Sequence, residues 1–273
     1  MWNKIKTGKM EKNSGLKSFQ ILGCMAGHPI VDQGVTSVVI SDYTFDIMID
    51  CGEGTYINLL KNGYKLSQLR YILITHMHVD HLGGLVPFLF YKHLLGYNQP
   101  MTLIGPPNLE YFITSSFKYQ GLKPKYQIFY VNIENETEKQ LSNLITLKSA
   151  KLNHKIPCWG YRLEDKKNSI VFITDTTPTA NSVELSKNAT YLIHESTFLS
   201  NELALANKTF HTTIDQAKDI AKESNAKNLI LTHFSQSIID SSIDSVRYKN
   251  KKCAIFNEKI FLTSKRGNDE FNI

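Results

Sequence analysis

The sequence predicts an α/β fold, and three observations predict it. Short β-branched and aromatic runs recur along most of the chain, helical segments fall between them, and no low-complexity tract, fixed-period repeat or linker divides them. The 273 residues suffice to bury a substantial core. Hydrophobic residues at 42% and charged residues at 21% are ordinary globular proportions.

In chain order, residues 1–17 are polar and basic and are expected to be a flexible extension, leaving 18–273 as a single domain. The extension lacks an apolar h-region, so no secretory signal is read there. Strands are predicted at "FQILG", "VTSVVI", "TFDIMID", "RYILIT", "MTLIGP", "QIFYVNI", "ITLKSA", "SIVFITD", "TYLIHE", "NLILTH" and "KIFLTS". Helices are predicted over Thr55–Asn62, Leu82–Leu95 and Ile214–Ser224. The last has Thr213 and Gln216 in capping-box spacing, with Ile214, Ala217 and Ala221 on one face. The longest apolar stretch, Leu82–Tyr91, contains Gly83, Gly84 and Pro87 and falls short of the ~20 residues a membrane span needs. Four cysteines with no CxxC pair fit a reduced, cytoplasmic setting. A formal net charge of +6 leans mildly towards anionic partners without naming nucleic acid.

The predicted strands share one feature, which is a polar residue at the C-terminal end. "FDIMID" ends on Asp50, "YILIT" runs into His76, "ITLKSAKLN" into His154, "SIVFIT" into Asp175, "TYLI" into His194 and "NLILT" into His233. Loops at one end of a sheet converge in space and collect functional residues. The densest group is "THMHVDH". His76 and His78 alternate as on an extended segment, and Asp80 and His81 follow at the turn into a helix. Imidazole and carboxylate groups suit zinc and other borderline divalent ions. His76, His78, Asp80, His81, His154, Asp175 and His233 make seven candidate ligands, too many for one ion and enough for two sharing a carboxylate and a hydroxide. Two divalent ions less Asp80, Asp175 and one hydroxide leave a charge of about plus one, which attracts an anionic substrate.

THxHxDH with a distant His, Asp and final His resembles the metallo-β-lactamase superfamily. "DCGEGT", "HKIPCWGYR", "TDTTP", "HESTF", "FHTTIDQA" and "LTHFS" are similar to the ribonuclease Z branch, over about Gly23 to beyond Ser235. The resemblance implies an αββα sandwich, two mixed sheets flanked by helices, with a dimetal site at one edge. It also implies one ion on His76, His78, His154 and Asp175, and a second on Asp80, His81, Asp175 and His233. The ions would be zinc, with manganese or iron as alternatives, and a bridging hydroxide would be the nucleophile. Asp80 would orient that hydroxide and accept its proton, and His211, oriented by Glu195, would protonate the leaving oxygen. Asp50 is expected to hold a ligand imidazole by its free N–H. His194 is expected to make a structural hydrogen bond, and His28 and His93 are read as ordinary residues. The resemblance implies an enzyme acting on a phosphodiester such as precursor tRNA, in a branch that commonly forms homodimers.

Three departures bear on substrate. "RLEDKKNSIVFIT" is expected to be a hairpin where tRNA-processing members of the branch carry a long basic arm, and Thr177 and Ser237 stand where the branch usually has arginines. Lys123, Lys125, Lys151 and Lys155 form at best a weak basic patch near possible rim loops. The alternative reading is a hydrolase of a small molecule: a cyclic nucleotide, another phosphodiester or an aryl sulfate ester. A non-catalytic metal-binding scaffold is disfavoured by the complete ligand set.

Overall fold

The computed structural model of the protein describes residues 15–135, 137–241 and 259–262. The first sheet contains β1 (Leu16–Met25), β2 (Gly34–Val35), β3 (Ser37–Asp42), β4 (Asp46–Ile49), β5 (Leu69–Leu73), β6 (Met101–Gly105) and β7 (Ile128–Asn132). The second contains β8 (Glu138–Gln140), β9 (Thr146–Leu152), β10 (Cys158–Glu164), β11 (Ser169–Ile173), β12 (Tyr191–Glu195) and β13 (Leu229–Thr232), after which β14 (Lys259–Phe261) returns to the first. The orders are β14-β1-β3-β4-β5-β6-β7, with β2 beside β1, and β13-β12-β11-β10-β9-β8. Both sheets are mixed: β4 to β7 run parallel, as do β11 to β13, while the other principal ladders are antiparallel.

The helices are α1 (Thr55–Lys61), α2 (Val79–Leu82), α3 (Leu85–Leu94), α4 (Leu109–Tyr119), α5 (Ala180–Ser186), α6 (Leu203–Thr209), α7 (Ile214–Glu223) and α8 (Gln236–Asp240), with a short 3-10 turn at Ser200–Glu202. The period-2 pattern of the first sheet explains the layering. Val38, Ile40, Ile47 and Ile49 point into a core shared with Leu147, Tyr161, Leu163 and Phe172 of the second sheet. Their neighbours Val39 and Met48 point the other way, against Leu59 of α1, Phe88 of α3 and Ile113 of α4. The second sheet's other face is covered by α5 and α7. The result is the αββα sandwich that the resemblance implied.

Every predicted strand is present, with ends moved by a few residues. Of "KIFLTS", the last two residues lie outside the described set. The predicted Leu82–Leu95 helix is two helices: Gly83 and Gly84 separate α2 from α3. The predicted capping box is formed, with Gln216 N–H donating to Thr213 Oγ1 and Thr213 N–H to Gln216 Oε1. The predicted hairpin is β10–β11, closed through Asp165–Asn168. The expected 1–17 extension ends early, because β1 already begins at Leu16. That residue is buried and its N–H donates to Asp165 Oδ2 at 2.7 Å. Residues 1–14 of it lie outside the described residues. Among the described residues no helix is long and apolar enough to cross a membrane.

Candidate metal centre

Six strands of like direction deliver the site. The C-terminal ends of β4 and β5 bring Asp50, Thr75 and His76; those of β9, β11, β12 and β13 bring His154, Asp175, Glu195 and His233. The seam between the sheets is tied beside His76, where Trp159 N–H donates to Thr75 O at 3.1 Å and Tyr161 O–H to Ile74 O at 2.7 Å. His78, Asp80 and His81 come from the turn into α2.

All seven predicted ligands converge. One ligand atom from each of His76, His78, His154 and Asp175 lies within 4.8 Å of the others, and the same holds for Asp80, His81 and His233. Asp175 joins the two groups. Its Oδ2 lies 3.6 Å from both His76 Nε2 and His154 Nε2, while its Oδ1 lies 3.2 Å from His81 Nε2 and 3.3 Å from His233 Nε2. Asp80 Oδ2 faces the second group, 3.4 Å from His233 Nε2 and 3.6 Å from His81 Nε2.

The tautomers fit cations. His81 Nδ1 donates to Asp50 Oδ2 at 2.7 Å, His233 Nδ1 to Thr197 Oγ1 at 2.8 Å, and His154 Nδ1 to the Phe210 carbonyl at 3.1 Å. With those nitrogens protonated, the opposite Nε2 atoms present bare lone pairs. They face one another or a neighbouring imidazole nitrogen: His81 Nε2 and His233 Nε2 at 3.2 Å, His154 Nε2 and His78 Nδ1 at 3.1 Å, His76 Nε2 and His78 Nδ1 at 3.0 Å. Converging lone pairs repel unless a positive charge sits among them, so the donor set suits divalent metal ions.

The electrostatics agree. Burial alone would raise Asp175 and Asp80, but the surrounding imidazoles, with a His233 hydrogen bond largest for Asp80, hold both carboxyls well below the usual range. Burial keeps His76, His78 and His154 below the usual imidazole value, which favours neutral ligands. Burial also opposes charge on His81, yet Asp175 and Asp50 raise it well above its ordinary value: this position calls for positive charge, from a proton or a metal.

Asp50 holds His81 as expected and reaches a second imidazole. Thr75 Oγ1 donates to it at 2.8 Å and faces His76 Nδ1 at 3.1 Å. His211 Nδ1 lies 3.1 Å from Glu195 Oε1, and Glu195 is fully buried. Burial pushes His211 down, but the Glu195 carboxylate lifts it to about 9. His194 Nδ1 donates to the Glu195 carbonyl at 2.7 Å, a structural contact. His93 accepts from Lys125 N–H, and the His28 ring lies 3.1 Å from Pro29 O. Supporting groups that escaped the sequence reading include Thr75, Thr197, the Thr174 hydroxyl that donates to Asp175 Oδ1 at 2.6 Å, the Thr176 N–H that donates to Glu195 Oε1 at 2.8 Å, the Gly27 N–H that donates to Asp80 Oδ2 at 2.8 Å, and the Phe210 carbonyl. The hydroxyls lie within two residues of predicted ones, which was an available signal; the others are backbone groups, which no residue-type pattern reveals.

Thr177 accepts from Asn153 Nδ2 at 2.6 Å, and Ser237 donates to Glu202 Oε2 at 3.0 Å, so neither replaces a guanidinium grip. The four lysines do not make one patch. Lys151 and Lys155 flank the His154 loop, whereas Lys123 and Lys125 precede the start of β7, which runs parallel to β5 and β6 and therefore lies at the opposite end of the sheet from His76.

Residues 46–234 match the Beta-lactamase superfamily domain. The chain is 31% identical to ribonuclease Z of Prochlorococcus marinus (strain MIT 9215) over 270 residues, covering 78% of this chain and 86% of that protein. It is 30% identical to ribonuclease BN of Proteus mirabilis (strain HI4320) over 267 residues, covering 78% and 88%. The crystal structure of human tRNase Z, short form, superposes with a TM-score of 0.73 at 28% identity, covering 81% of this chain and 93% of that one. The Bacillus subtilis metallo-β-lactamase fold protein YhfI, at 19% identity and TM-score 0.75 over 90% of this chain and 99% of that one, shares the fold. Fold and site together define a metal-dependent hydrolase with a divalent-metal centre. The chain belongs to the β-lactamase superfamily and, within it, to the ribonuclease Z family.

Proposed function

We propose that the chain is a metal-dependent phosphodiesterase of ribonuclease Z type that removes the 3′ trailer of precursor tRNA. The observation that carries this reading is a two-group ligand set joined through Asp175, with the Glu195-held His211 beside it. His76, His78, His154 and Asp175 would hold one ion and Asp80, His81, Asp175 and His233 the other; zinc is the first choice, with manganese or iron as alternatives. Bound there, the ions supply Lewis acidity and bring water into ionisation near pH ~7.

The chain's own residues then divide the work. Asp80, fixed through Oδ2 by the Gly27 N–H, uses its other oxygen to hold the attacking water and take its proton. Asp50 and Thr75 hold His81 and His76 in the tautomers that leave Nε2 free. As water attacks phosphorus and the bond to the leaving oxygen breaks, cationic His211 gives that oxygen a proton, so the leaving strand departs as an alcohol. We infer further that the residues from Leu16 onward in the described structure form one working domain, and that it acts in the cytoplasm as a homodimer. The buried free thiols Cys24, Cys51 and Cys158 support a reducing compartment; the dimer follows from the resemblance.

The test is cleavage of a precursor tRNA carrying a 3′ trailer by zinc- or manganese-loaded protein. Cutting at the trailer junction is expected, and no cutting by fully loaded protein would contradict the reading. A second reading, hydrolysis of a small phosphodiester or aryl sulfate, is favoured by Thr177, Ser237 and the tight β10–β11 hairpin. Turnover of a cyclic nucleotide, a nitrophenyl phosphodiester or an aryl sulfate without RNA cleavage would select it.

A further inference from the structure

Among the described residues, Asp32, Asp50, Asn188, Phe210, Asn225 and His233 adopt left-handed backbone without being glycine. Asp, Asn and His are the types enriched in that region. Phe210 is the exception: a bulky aromatic held at φ 61°, ψ 47° at the C-terminal end of α6. Its backbone has a clear task, since its carbonyl accepts from His154 Nδ1 at 3.1 Å and the next residue is His211. That task needs no side chain, and glycine would perform it without strain. Phe210 keeps 37% of its surface open, and among the described residues no aromatic ring pairs with it. Strain kept beside a reactive site, with part of the ring left open to solvent, points to use by the substrate.

The surroundings say what use. Phe210 stands on the rim, between the His154 and His211 positions, and the Phe198 ring sits edge-on to His211 with centroids 6.0 Å apart. Thr177 and Ser237 are committed to other side chains, so neither offers the substrate a charged grip. A flat apolar ring beside a centre that attracts anions matches a nucleotide, with its phosphate at the metals and its base on the ring. Building on the phosphodiesterase reading above, we propose that Phe210 is a substrate-binding residue whose ring stacks on the nucleobase next to the scissile bond.

The test uses the metal-loaded full chain, precursor tRNA with a 3′ trailer, and the same RNA made abasic at either nucleotide flanking the cleavage position. Phe210→Gly keeps the carbonyl to His154 and suits the left-handed backbone, so it retains fold and metal content. Its KM for intact RNA is expected to rise roughly 10-fold or more with kcat unchanged. Phe210→Tyr restores the wild-type KM. One of the abasic substrates raises the wild-type KM similarly and removes the difference between wild type and Phe210→Gly. Equal KM values on intact RNA would overturn the inference, as would an abasic penalty of the same size in both proteins, or a Phe210→Gly variant that loses metal and kcat together and so reveals a packing role. If wild type cuts no RNA, the phosphodiesterase reading on RNA fails and takes this inference with it. Cleavage with equal KM values sinks the inference alone.

Discussion

His211 stands between the mouth of the site and a carboxylate with no access to solvent, and that position decides its chemistry. Burial disfavours the imidazolium, but Glu195 at 3.1 Å more than offsets this and lifts it to about 9. An acid must be protonated to act, so activity falls as pH rises through this pKa. Glu195→Gln removes the charge that raises it, so the alkaline limb of the kcat profile should move to lower pH; an unmoved limb would mean that Glu195 does not set the acid. His211→Ala should keep its metal and lose roughly 100- to 10,000-fold in turnover, and Asp80→Ala should lose at least as much. Metal analysis beside kcat checks both, since loss of metal from His211→Ala would make it a ligand. At this scale the side chains were legible and their backbone partners were not. Residue type and strand-end position gave Asp50 and His76, and the family resemblance gave Glu195, whereas the Gly27 N–H and the Phe210 carbonyl depend on left-handed turns far away in sequence, at φ 72° and 61°.

The elements hold these residues through close backbone approach. α2 and α3 are separated where Gly84 packs on the turn after β4. A Cβ built there would lie 2.3 Å from Gly52 O and 3.0 Å from Cys51 O, and Cys51 N–H in turn donates to the His81 carbonyl at 2.7 Å. Gly84→Ala must push this turn and the His81 segment apart, which costs about 1–3 kcal/mol. Thermal denaturation should show a Tm lower by several degrees, and metal titration a weaker second ion; an unchanged Tm and affinity would show that the turn yields freely. The run from Leu82 to Leu95 reads as one helix because apolar residues continue across the glycines, and only the neighbouring turn explains the break. The start of β10 was missed for a related reason, although its end was read as part of the hairpin. "CWGYRLE" lacks alternation, because from Cys158 to Tyr161 both faces are buried. β3 and β4 are buried on both faces as well, but their runs of Val, Ile and Met made them plain from sequence.

At the scale of the molecule, two sheets place like-directed strand ends at a shared edge, and the site exists only because both do so. His76 and Asp50 come from one sheet, while His154, Asp175 and His233 come from the other. Ions held across that seam would tie the layers together, so stability should be linked to metal. Stripping metal with a chelator should lower Tm, and zinc should restore it in a concentration-dependent way; a Tm indifferent to both would separate folding from the site. The sandwich was readable through motifs that resemble the metallo-β-lactamase superfamily, and the candidate ligands through the THMHVDH cluster and the His and Asp residues at predicted strand ends. The placement of Lys123 and Lys125 was not, because it depends on which end of the sheet β7 starts from, and that is a property of topology. The central claim is that seven imidazole and carboxyl groups form one two-ion centre bridged by Asp175. Its most direct test is the divalent metal stoichiometry of the loaded chain, measured beside Asp175→Ala by elemental mass spectrometry after dialysis. The account predicts two ions per chain and the loss of both in Asp175→Ala; a wild-type chain that retains none, or a variant that keeps both, would contradict it.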